Sequence, residues 1–82
     1  MHSNGTEFNT GDLVTVRSGR VLAAVCKDPQ MIHESFSIIT RMFQGETALI
    51  IGEHPEYDDV YKIVLNSSGI SGWVQGYEIE KA

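Results

Sequence analysis

Two short apolar runs, Val60-Tyr61-Lys62-Ile63-Val64-Leu65 and Ile70-Ser71-Gly72-Trp73-Val74, are separated only by Asn66-Ser67-Ser68-Gly69. Four turn-forming residues between two such runs make a tight hairpin, with Gly69 suited to the positive φ that the turn requires. Tyr61, Ile63 and Leu65 share one face while Lys62 points out, the period-two pattern of a half-buried strand. Earlier in the chain, Ala48 and Ile50 of Glu46–Ile51 share a face, with Leu49 and Ile51 on the other. Three strands with short links form a meander, and short strands with glycine-rich turns indicate a small β-barrel.

The first strand is read at 11–17, where Val14 and Val16 alternate with Thr15 and Arg17 behind a Gly-Asp turn. Residues 37–43 are β-rich and predict another strand. Val21–Val25 fits strand or helix, since periodicity does not decide for so short a run. Asp28-Pro29 is an N-cap followed by proline at the first helical position, which predicts a short helix over 28–35. The expected core is Val14, Val16, Ala48, Ile50, Tyr61, Ile63, Val74 and Ile79.

Eighty-two residues make one domain, read as a polar tail over 1–10 and a single barrel over 11–82. The formal charge is −5, and the six basic residues are scattered, which argues against nucleic acid. No apolar run reaches the roughly 18 residues needed to span a bilayer. The first residues, MHSNGTEFNTGD, do not have the basic-then-apolar order of a signal peptide, so a cytoplasmic or virion-associated protein is expected. The lone Cys26 cannot form an internal disulfide.

Four elements stand in a telling order: Val16-Arg17-Ser18-Gly19, Gly45-Glu46, Tyr61-Lys62-Ile63 and Gly72-Trp73-Val74, with Ile79 behind them. This order resembles the bacterial-type SH3-like domain. The resemblance implies a five-stranded barrel in which Gly72 allows a close approach of neighbouring backbone and Trp73 covers the open end. It also implies a single 3₁₀ turn at Gln75-Gly76-Tyr77 and closure by Ile79 against the first strand. Residues 20–43 exceed the family's usual loop, so an inserted helix or hairpin is expected there. Asp59-Val60 and Gln75-Gly76 replace the tryptophan and proline regions of peptide-binding SH3 folds, so the aromatic polyproline groove is expected to be absent. Short standalone proteins of this kind also resemble accessory proteins of bacteriophages.

The residues that carry chemistry are few. Glu53-His54-Pro55-Glu56-Tyr57-Asp58-Asp59 offers four carboxylates and a histidine, a site for a divalent cation or a basic partner, or else a solvated loop without calcium-loop spacing. Cys26 with His33 or His54 has no catalytic signature and reads as a small buried hydrophobe. Met31, Ile32, Phe36, Met42 and Phe43 either pad the core or form a patch that meets a partner or a second copy, as Met and aromatic residues do at interfaces. Tyr57 and Tyr77 are the expected exposed aromatics. The function expected is therefore a non-enzymatic SH3-like binding or assembly module for protein–protein contacts, without cofactor or metal, with a protein partner or itself as a homodimer. The alternative is a metal- or cell-wall-peptide-binding accessory domain using loop 53–59.

Overall fold

The hairpin read from residues 60–74 lies at the centre of the sheet. In the computed structural model, which describes residues 8–31 and 37–82, its strands are β5 (Val60–Leu65) and β6 (Ser71–Gln75). They pair antiparallel with Ile63 opposite Gly72 and Lys62 opposite Trp73. Gly69 takes φ +77° and donates its N–H to the Leu65 carbonyl at 2.8 Å, closing the turn. Around this pair lie β1 (Leu13–Val16), β2 (Leu22–Cys26), β3 (Ile38–Phe43), β4 (Thr47–Glu53) and β7 (Ile79–Lys81). The spatial order is β3-β2-β6-β5-β4-β1-β7, and every pairing is antiparallel.

Alternation puts one face of each strand into a single apolar cluster, and all eight expected core residues are buried in it. The cluster also takes Met42 from β3 at one end of the sheet and Ile79 from β7 at the other. A flat sheet could not bring both ends into one core, so the sheet curls into a half-barrel. Phe8 joins from the segment read as a polar tail. Its ring meets Tyr61 edge-on at 5.3 Å between centroids, and its backbone N–H donates to the Tyr61 hydroxyl at 3.3 Å. A buried tyrosine hydroxyl needs a hydrogen-bond partner, and the chain before β1 supplies one.

The count of strands corrects the expectation of five: there are seven among the described residues. The physical reason lies in the described residues of 20–43, which supply two further strands to the same sheet. Leu22–Cys26 and Ile38–Phe43 pair as β2 and β3 and extend the same sheet along the edge of β6, where Cys26 stands opposite Trp73. No α-helix occurs among the described residues. At the expected 28–35 helix, Pro29–Met31 make one 3₁₀ turn, capped by the Gln30 N–H donating to Asp28 Oδ1 at 3.0 Å, and residues 32–36 lie outside the described residues. No described helix is long and apolar enough to cross a membrane.

As the outermost strand, β3 is a place where another chain's strand might add on, and two features blunt it. Its register against β2 shifts at Ile39, which has no partner residue across the ladder. Its last N–H, on Phe43, donates to the Glu46 carboxylate at 3.1 Å. Irregularity and charge on an edge are the usual means by which a sheet avoids pairing with its neighbours.

Candidate functional site: an aromatic ledge beside the acidic loop

Along β6, Gly72 and Val74 face the core, so Trp73 between them must face the other way. The tryptophan is half-buried on the outer side of the sheet and is not the cover of a barrel end, which corrects the role expected for it. Lys62, its cross-strand partner, holds its ammonium 5.7 Å from the centre of the indole. His54 meets Trp73 at 5.2 Å with an interplanar angle of 61°, and stacks on Tyr57 at 4.5 Å and 28°. Three rings thus form a continuous ledge.

The loop after β4 is shaped to present these rings. His54 Nδ1 accepts the backbone N–H groups of Glu56 at 3.1 Å and Tyr57 at 3.2 Å, which leaves Nε2 as the ring's donor nitrogen. The His54 N–H itself donates to the Val60 carbonyl at 2.9 Å. At the loop's end Asp59 adopts φ +61°, a left-handed conformation that aspartate tolerates better than most residues. The Asp59 carbonyl accepts the Gly76 N–H at 2.7 Å, tying the loop to the turn after β6. Removing the imidazole removes both Nδ1 acceptances and the stack. His54→Ala is therefore expected to quicken amide exchange at Glu56 and Tyr57 while leaving β1 and β5 protected.

Glu53, Glu56 and Asp58 of this segment are exposed, and none has an ion-pair partner among the described residues. No group of three or more His, Cys, Asp or Glu side chains among the described residues is arranged to hold a metal ion. A hard cation needs several oxygens converging on one centre.

A second polar cluster occupies the corner where β7 returns to β1. Arg20 pairs with the buried Glu78 at 3.0 Å and lies 5.5 Å from the centre of the Tyr77 ring. The Arg17 N–H donates to the Glu78 carbonyl at 2.9 Å, and the Ser18 N–H and hydroxyl both donate to the Glu80 carboxylate at 3.1 Å. These contacts engage one face of Tyr77 and leave Arg20 Nε as a buried nitrogen without a hydrogen-bond partner among the described residues.

Cys26 is buried beside this corner. Burial pushes its thiol above the ordinary value of 9.0; the charge of Glu78 adds to the rise, and a hydrogen bond with Ser37 pulls part of it back. The folded chain therefore retains this proton at pH values where the unfolded chain releases it. Stability contributed by the thiol is full below pH 9 and declines as pH rises past 9.0. Urea midpoints measured between pH 8 and 10.5 should fall more steeply for the wild type than for Cys26→Ala. Equal slopes would count against the buried thiol.

The expected partner residues are dispersed. Tyr57 belongs to the ledge and Tyr77 to the Arg20–Glu78 cluster, both partly exposed. Phe43 is 49% exposed on the outer face of β3, and Val21 and Ile39 are exposed as well. Met42 is fully buried, a correction with a plain cause: it alternates with Phe43 and faces Ala23 in the core. Ile32, Phe36, His33 and the side chain of Met31 lie outside the described residues. His54, Lys62 and Trp73 were not among the expected partner residues. The signal for Trp73 was present in Gly72-Trp73-Val74, since a core-facing Val74 forces its neighbour outward.

No protein-family model matches the chain, and no match was found among curated proteins or solved structures.

Proposed function

We propose that the protein is a non-enzymatic SH3-like binding or assembly module that holds a partner protein against the outer face of its sheet. The SH3-like reading is supported by the run β7-β1-β4-β5-β6, five antiparallel neighbours within the larger sheet. In that run β4, β5 and β6 make the meander, one 3₁₀ turn (Gly76–Glu78) follows, and β7 returns to β1 with Ile79 opposite Val16. The hairpin β2–β3 is then an insertion between the first two strands of the barrel.

The binding reading rests on one observation, the placement of His54, Tyr57 and Trp73. A small domain has a thin core, yet three of its aromatic rings meet outside that core, Trp73 on β6 and His54 and Tyr57 on or beside a loop pinned to the sheet. Loops held by a rigid scaffold are where binding usually resides, and aromatic side chains are enriched at the centres of interfaces. Phe43 adds exposed apolar surface on the outer face of β3.

Tyr57→Ala and Phe43→Asp separate binding from folding. Both side chains are well exposed, so both variants should fold, with stability changes of about 0.5 kcal/mol or less. A partner retained by the immobilised wild type should be lost or weakened with Tyr57→Ala, and weakened with Phe43→Asp if the hairpin shares the interface. Undiminished retention by both variants would contradict the proposal.

A further inference from the structure

We infer that the ledge takes an arginine or lysine side chain from a basic segment of its partner, an inference that rests on the ledge being the partner site. The first observation is that the ledge already seats a cation of its own chain: Lys62 holds its ammonium over Trp73 at 5.7 Å. An aromatic face attracts a cation through its ring quadrupole, and the geometry shows that this face is accessible to one. The second is that the Tyr57 ring has His54 stacked on one side and is itself 37% exposed. A planar guanidinium can extend that stack, which arginine does more readily than lysine.

The third observation is charge. Glu56 and Asp58, the chain neighbours of Tyr57, are exposed without ion-pair partners among the described residues, while Arg20 and Lys81 are engaged by Glu78 and Asp12. Lys62 is the one cation within the ledge, in a chain of net charge −5. Complementary charge steers a basic segment to this face and repels an acidic one or a nucleic acid. A divalent ion fits less well, since the carboxylates do not converge.

Trp73 is the only tryptophan, so its fluorescence reports on the ledge without labelling. The probe is a ten-residue Gly/Ser peptide carrying three arginines, titrated at low salt beside the same peptide with citrulline for arginine. The arginine peptide should change Trp73 emission with saturation, and citrulline should weaken binding. Tyr57→Ala should weaken it roughly 2- to 5-fold, the value of an exposed cation–π contact. Lys62→Gln should strengthen binding more than Lys27→Gln, although both remove one positive charge, because only Lys62 competes for the indole. Equal binding of arginine and citrulline peptides would overturn the cationic specificity while leaving a peptide-binding module standing. Equal gains from the two lysine variants would overturn the competition at Trp73. An emission change from calcium chloride alone that matches the peptide's would overturn the basic-segment partner in favour of an ion. No response to any peptide would overturn the inference, whereas loss of the retained partner in Tyr57→Ala would still uphold the ledge as a partner site.

Discussion

Ile63→Ala is expected to lower stability by about 2–5 kcal/mol, the usual cost of truncating a buried aliphatic side chain to alanine. Ile63 is fully buried in the middle of β5, between Ile50 on β4 and Gly72 on β6. The cost should lie toward the upper part of that range, because Gly72 has no side chain that could relax into the space left behind. Small domains have roughly 5–15 kcal/mol in total, so this loss removes a large share of the margin that keeps the chain folded. Urea unfolding checks this through the shift of the midpoint at unchanged slope. A loss below about 1 kcal/mol would mean that the site is not closely packed.

Gly72→Ala carries the second large effect, for the opposite reason. A Cβ at this position would lie 2.6 Å from Val25 Cγ1, 2.9 Å from the Cys26 carbonyl oxygen and 3.1 Å from Ile39 Cδ1. The two side-chain contacts can give way by rotation, but the carbonyl belongs to the backbone of β2. Accommodation therefore requires the β2–β3 hairpin to lift from β6, at a cost of about 1–3 kcal/mol for overpacking. Gly52→Ala is the control, since a Cβ there meets nothing within 4 Å and its backbone is unstrained. Hydrogen exchange should show the amides of β2 and β3 opening first in Gly72→Ala while β4 and β5 remain protected. Unchanged protection of the hairpin would contradict the close approach.

The legible part of the sequence was the part governed by local rules. Alternation in 60–65 placed Tyr61, Ile63 and Leu65 in the core, and Asn66–Gly69 fixed the turn, because a hairpin is specified by its own residues. The close approach at Gly72 and the return of Ile79 to the first strand also followed from short-range pattern and resemblance. What stayed hidden depended on contacts distant in sequence. Nothing near Phe8 indicates that its ring meets Tyr61, 53 positions away. The apolar residues of 20–43 read equally well as core padding or as patch, and alternation in β3 divides them between the two, Met42 inward and Phe43 outward. The ledge was partly visible as an acidic loop with a tyrosine. Its organiser was not, because only the folded loop shows His54 accepting two backbone N–H groups while stacking on Tyr57.

The central claim is that the single tryptophan serves the outer surface and not the core. A nuclear Overhauser spectrum of the labelled protein tests it most directly. The indole protons of Trp73 should give cross-peaks to the His54 ring and to the Lys62 methylenes, and none to the methyl groups of Val14, Ile50 or Ile63. Strong cross-peaks to those core methyls, with none to His54, would place the ring inside the barrel and contradict the account.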